Sequence, residues 1–327
     1  MLLEGANWEN AEYLIARGYN RISKYCEAQH LPNETSNIRV GTIQYFRKME
    51  EVQKRDEQEG FLTWRLNVGQ MRSVSWDWLN DTTLGFFGHF IPRVNHSINE
   101  FHLNNQVGPQ DISYEQVPGE MALVIEAMNV DHFGTDFRMH GSIRIDYRSH
   151  NCLVFCMSMS DENSISPFGK SDAEWTISIG HRRLFARDLA RGIASSVSAA
   201  DLFYPSYFKL SDITQDHIRS ISIYRKGDNF IPDGLSLMYS DGPVEYHDRV
   251  LNVTREEDLS PPRFKDYLFS SPFIKHTRFQ VEREYRFCFR FFMAERGRIA
   301  GVSFNRDHLY VPFDSINGLP EIRIRGE

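Results

Sequence analysis

Cysteine is scarce: Cys26, Cys152, Cys156 and Cys288 are the only four in 327 residues. None belongs to a Cys-x-x-Cys pair or stands beside a histidine at zinc spacing, so buried free thiols are expected rather than a metal knot. The twelve histidines are scattered without a His-Glu-x-x-His, and no phosphate-loop or dinucleotide-binding glycine pattern occurs. A zinc hydrolase, a nucleotide triphosphatase and a Rossmann oxidoreductase lose ground together. No apolar run approaches a membrane span, and the start Met1-Leu2-Leu3-Glu4-Gly5 lacks a basic segment followed by an apolar one. A cytoplasmic location without a membrane partner is therefore expected. A net charge of −7 excludes a uniformly basic, nucleic-acid-coating surface while leaving room for a local basic cleft.

What remains is an ordinary globular composition, 41% hydrophobic and 25% charged, with β-rich patterning. Residues Asn7 to Gly18 predict a short amphipathic helix with Trp8, Ala11, Leu14 and Ile15 inward and Gly18 as its stop. Extended segments follow at Tyr19 to Tyr25 and Ile38 to Ile43. The charged run Lys54 to Gly60 reads as a solvated loop. Residues 61–120 carry Trp64, Trp76, Trp78, Phe86, Phe87 and Phe90 and are expected to form an insertion, its aromatics filling a core or stacking on unpaired bases.

From Glu120 onward, strands are predicted at Ala122–Ala127, Ser142–Tyr147, Cys152–Ser160, Trp175–Ile179, Ile221–Tyr224, Leu309–Phe313 and Ile322–Ile324. A helix is predicted at His181–Ser195 with Leu184, Leu189 and Ile193 inward. Strand-helix-strand units are too few for a doubly wound sheet, so a single α+β domain with mainly antiparallel strands is the expectation.

The stretch Phe279 to Phe292 organises the functional reading. At strand period, Glu282, Glu284, Arg286, Cys288 and Arg290 share one parity, and Val281, Arg283, Tyr285, Phe287, Phe289 and Phe291 the other. Two acids at i and i+2 on a strand stand about 7 Å apart, close enough to serve one substrate in different protonation states. The plain alternative is a solvent-exposed strand face with cross-strand ion pairs.

Three polar constellations therefore stand at strand ends: Arg21, Lys24 and Arg39; Ser158-Met159-Ser160; and Glu282-Arg283-Glu284. In that order they resemble the arginine–serine–glutamate class of ADP-ribosyltransferases, in which a split antiparallel sheet binds NAD in a cleft. Ile38 to Ile43 with Tyr45-Phe46-Arg47, Asp56-x-x-Glu59-Gly60, Phe155 to Ser158, Trp175, and Phe273-x-Lys275 before Glu282 to Arg286 are similar to a bacterial family of uncharacterised function among phage-defence genes. The serine motif departs from the class, with Met159 where threonine is usual.

The resemblance implies a split-sheet α+β fold with flanking helices, NAD as co-substrate without a metal, and a toxin with an antitoxin and a chaperone as partners. It places Glu284 beside the ribose, where a carboxylate stabilises oxocarbenium character, and Glu282 beside the acceptor as general base. Ser158 and Ser160 would position ribose or the glutamate, and Arg21, Lys24 or Arg39 would meet the pyrophosphate. Tyr45 or Trp175 would stack on nicotinamide. An NAD hydrolase, a binding module with structural ion pairs, and a nuclease using Asp161, Glu162, Asp172 and Glu174 are the alternatives. Arg278, Arg283, Arg286, Arg290, Arg296, Arg298, Arg323 and Arg325 cluster near the acidic pair and favour RNA or single-stranded DNA over protein as acceptor.

Overall fold

The computed structural model describes residues 11–32, 36–48, 57–67, 101–103, 119–133, 136–160, 173–203, 210–228, 233–254, 267–296, 298–316 and 321–324. The fold is α+β with mostly antiparallel strands, as the patterning predicts. Trp8, Asp56, Trp76, Trp78, Phe86, Phe87, Phe90, Asp161, Glu162, Asp172 and Arg325 lie outside the described residues.

An eleven-stranded sheet forms the body. Across its middle run Ser222–Arg225, Gly234–Pro243, Glu284–Glu295, Leu153–Ser160, Arg21–Cys26, Ala173–Ser178 and Glu321–Ile324. Glu284–Glu295 is the central strand because its parity sends Tyr285, Phe287, Phe289 and Phe291 into one apolar layer. There they meet Phe155, Trp175 and the helix Arg182–Ser196. Phe185 of that helix packs edge-on to Phe287 at 5.1 Å, and Phe155 stacks on Trp175 at 5.8 Å. Each such fully buried ring contributes about 1.5–3 kcal/mol of transfer free energy.

Strand Leu153–Ser160 has a divided neighbour. On one edge it pairs continuously with Glu284–Phe289. On the other, Arg21–Ser23 pairs only with Ser158–Ser160, and Gly41 and Thr42 of the strand Asn37–Thr42 pair only with Val154 and Leu153. Residues 155–157 are paired on that edge by neither, so the sheet forks there. An unpaired buried carbonyl is costly, and Lys24 relieves it: its Nζ donates to the Cys156 carbonyl at 2.8 Å.

A second, five-stranded sheet joins Val250–Val253, Phe61–Asn67, Asp136–Ser149, Gly119–Phe133 and Phe101–Leu103. The expected short strands at Ala122–Ala127 and Ser142–Tyr147 are thus the middles of one long hairpin, paired with a strand of the expected insertion. Trp64 is buried against Tyr147, which places it in a core and away from any base.

Two helix faces differ from expectation. Ile15 is 51% exposed while Leu14 is buried, and Leu184 is exposed while Phe185 and Ala186 turn inward. Phe185 is the larger apolar residue and takes the core position. The strand expected from Phe279 begins only at Glu284: Thr277–Glu282 is a 3-10 turn, and Arg283 adopts a left-handed conformation with φ +44°.

Candidate functional site

The polar face of the central strand is buried, so the alternative of a solvent-exposed ladder of ion pairs does not hold. Glu284, Arg286 and Arg290 are all buried, and Glu282 joins them from the turn rather than from the strand. The left-handed Arg283 reverses the chain so that Glu282 and Glu284 still converge. Lys275 Nζ donates to Glu282 Oε2 at 2.6 Å and to Glu284 Oε2 at 3.0 Å, so one ammonium bridges both acids.

Arg286, two residues along the strand, returns its guanidinium to Glu284, with Nε to Oε1 at 2.7 Å and Nη2 to Oε2 at 3.1 Å. This bidentate fork fixes the carboxylate plane. Nη1 of Arg286 donates to Glu59 Oε1 and to the Pro272 carbonyl. The Glu284 amide donates to the Tyr246 hydroxyl at 2.7 Å, anchoring the strand's first residue. Three carboxylates and two cations therefore share one largely dry cluster.

The two acids are electrostatically unlike. Burial, the largest influence on Glu284, pushes its carboxyl up, but Arg286 and Lys275 together outweigh it and hold the group well below the ordinary carboxylate range. For Glu282, burial first and the neighbouring Glu284 charge second outweigh Lys275, raising it from 4.5 to about 7. One group stays ionised while the other exchanges a proton near neutrality, the division of labour that paired carboxylates need. Beside them, burial and then the Glu284 charge push the Cys156 thiol well up, keeping it protonated.

The predicted residues separate by sheet face. Ser158 is opposite Glu284 in register and Ser23 is opposite Ser158, while Arg21 is opposite Ser160 one step outward. Arg21, Ser23, Ser158, Ser160 and Glu284 thus stand on one face of three adjacent strands. The Ser23 and Ser160 hydroxyls are hydrogen-bonded at 2.6 Å. Arg39 lies on the same face across the fork, exposed, its guanidinium 4.6 Å from the Tyr45 ring centroid. Lys24 and Trp175 occupy the opposite face. Lys24 lies over Phe155 at 5.1 Å and Trp175 is part of the apolar core, because their parity on strand matches that of Ile22 and Ile177.

Glu59, Lys275 and Tyr246 are cluster members that the sequence did not assign to the site. Glu59 was hidden in a charged run, yet it is buried, and the following Gly60 at φ +72° lets the backbone pass where a Cβ would stand 3.1 Å from Ile43. The short motifs Asp56-x-x-Glu59-Gly60 and Phe273-x-Lys275 were the available signals. Of the nuclease set, Glu174 is buried in its strand, and among the described residues no group of three or more His, Cys, Asp or Glu could hold a metal ion. Among the described residues, no helix is long and apolar enough to cross a membrane. No family model, curated protein or solved structure matches the chain.

Proposed function

We propose that this chain is an ADP-ribosyltransferase that cleaves NAD at the nicotinamide–ribose bond and passes ADP-ribose to a macromolecular acceptor. The observation that carries the reading is the row formed by Arg21 and Ser160, Ser158, and Glu284 on one face of three adjacent strands, at a fork in the sheet. A forked antiparallel sheet with a basic residue, serines and a glutamate on successive strands is the arrangement that the sequence resemblance leads one to expect.

In this reading Glu284, kept anionic by Arg286 and Lys275, faces the positive charge that grows on the ribose as the bond breaks. Its fixed orientation means that little reorganisation accompanies charge development. Glu282, titrating near neutrality, takes the proton of the acceptor nucleophile. Arg21 and the exposed Arg39 supply the cationic donors for pyrophosphate, and Tyr45 supplies a ring beside Arg39.

Burial of two arginines narrows the cationic surface open to an acceptor. Arg286 and Arg290 are buried and cannot line a basic cleft. Exposed Arg278 and Arg283 flank Glu282 and remain the cations that favour a nucleic acid. A structural ion-pair cluster in a binding module is the competing reading, favoured by Arg286 closing between Glu284 and Glu59.

The test is incubation of the protein with labelled NAD and, separately, RNA, single-stranded DNA and total protein at two salt concentrations, with Glu284→Gln alongside. Salt-sensitive label on nucleic acid, lost in the variant by on the order of 10²-fold or more, is expected. Nicotinamide release without label transfer makes it an NAD hydrolase, and neither outcome leaves the binding module.

A further inference from the structure

Behind the acidic cluster, on the same strand, lies a second buried group that the proposed chemistry does not use. Cys288 is two residues beyond Arg286, opposite Val154 in register, and Cys152 immediately precedes the strand that carries Val154. Their Sγ atoms are 3.6 Å apart and both residues are buried. Two further residues on, Arg290 is buried too. Its Nη2 donates to the Phe269 carbonyl at 2.6 Å and its guanidinium lies 5.4 Å from the Phe269 ring, while Nε and Nη1 have no hydrogen-bond partner.

Among the described residues, no carboxylate lies within ion-pair distance of Arg290. A buried guanidinium without a counter-charge is strongly destabilising, so an anion is expected beside it. Among the described residues, the two thiols are the groups available to supply one. Ser240, opposite Cys288 on the neighbouring strand, keeps a buried hydroxyl without a hydrogen-bond partner, a spare donor for the same anion. The remaining titratable neighbours do not compete. Burial and Arg290 lower His150 to about 4, leaving it neutral, and burial pushes Tyr147 up. Burial would also raise Cys288, but the hydrogen bond from Cys152 and the charges of Arg290, Arg286 and Lys226 bring it down to about 7.

We propose that Cys152 and Cys288 form an oxidant-responsive dithiol site near Arg290, with Cys288 as the attacking sulfur and Cys152 as the resolving thiol. The oxidant is a hydroperoxide. The Cys288 thiolate attacks the outer peroxide oxygen, the O–O bond breaks, and the departing alkoxide or hydroxide takes a proton from solvent, leaving Cys288 as a sulfenic acid. Cys152 sulfur then attacks Cys288 sulfur, and the displaced hydroxide leaves as water with the Cys152 proton. Two thiols are oxidised and the hydroperoxide is reduced to an alcohol or water. The sulfurs must close from 3.6 Å to about 2.05 Å, and because Cys152 stands diagonal to Cys288 rather than opposite it, closure moves backbone as well as side chains. Because both thiols are buried, oxidation proceeds through local opening and favours small hydroperoxides.

The experiment treats the full chain with hydrogen peroxide and maps disulfides by non-reducing peptide mass spectrometry, with thiolate ultraviolet absorbance followed against pH. A Cys152–Cys288 cross-link is expected while Cys26 and Cys156 remain thiols. One thiolate should be present near neutrality, absent in Cys288→Ser and moved to higher pH in Arg290→Met. Cys152→Ser, which alters no charge, should trap Cys288 as a sulfenic acid captured by dimedone, and it decides the question if Arg290→Met does not fold. No cross-link in folded protein, preferential oxidation of Cys26 or Cys156, or no dimedone adduct in Cys152→Ser would overturn the proposal.

Discussion

Replacing Glu282 by Gln removes a proton-binding site that the fold has shifted, and the size and sign of the consequence follow from its surroundings. Burial and the Glu284 charge raise this carboxyl from 4.5 to about 7 in the folded chain. Between those values the native protein holds a proton that the unfolded chain has released. Native proton binding then exceeds unfolded binding, so stability falls as pH rises. At about 1.4 kcal/mol per pKa unit, the Glu282 contribution amounts to about 3 kcal/mol, fully present below pH 4.5 and lost as pH passes 7. Glutamine keeps the size and the hydrogen-bonding oxygen for Lys275 but does not titrate. Urea denaturation of both proteins from pH 4.5 to pH 8, compared as the difference between the two curves, isolates this group from every other titration. The wild-type curve should fall relative to the variant across that window. Parallel curves would refute the placement of Glu282 in a low-dielectric site beside an ionised Glu284.

Other perturbations probe the same cluster. Glu282→Ala should lose transfer to the acceptor more than it loses NAD cleavage, read as label transfer against nicotinamide release; equal losses would mean that the two glutamates share one role. Glu59→Gln leaves Arg286 with one carboxylate instead of two and should cost about 3–5 kcal/mol in denaturant titration, the range for breaking a buried pair, whereas a change under about 0.5 kcal/mol would show that Glu59 is solvated. Lys24→Met leaves the Cys156 carbonyl unpaired at the fork and should lower stability by about 1–3 kcal/mol, without the pH dependence that marks the acidic cluster; an unchanged urea midpoint would mean that water covers that carbonyl equally well.

The central strand was legible because its two parities differ so sharply: alternating aromatics from Tyr285 to Phe291 can be satisfied only by a core on one side. The strand ending in Ser158-Met159-Ser160 was legible for the same reason. Its neighbour Gly234–Pro243 was not, although Leu235, Leu237 and Tyr239 alternate with Ser236 and Ser240, because the Asp241-Gly242-Pro243 end carries turn residues within a paired strand. Glu282 was assigned to the strand since its parity fits, and nothing in the residue types announces the left-handed turn at Arg283. Glu59 shows the limit most clearly. A charged run looks solvated until a guanidinium far along the chain, here Arg286, arrives to neutralise one of its members. Such pairing depends on the sheet bringing distant segments together, and local patterning carries no record of it.

The turn at Arg283 also divides the two glutamates between different kinds of mechanical support. Glu284 begins a strand flanked on both edges, so moving it means disturbing ladders to Leu153–Ser160 and Gly234–Pro243 together. Glu282 ends one short 3-10 turn, tied by the Phe279 amide to the His276 carbonyl, the Arg283 amide to the Gln280 carbonyl and the Arg278 amide to the His276 ring, and its carboxylate is held by Lys275. Small local openings therefore free one acid while the other keeps its place. In amide hydrogen exchange this becomes a step in protection across the Arg283 turn, fast through Val281 and slow from Tyr285. A side chain carried on a single turn can accommodate partners of different shape, and the strand-borne one sets the point about which it moves.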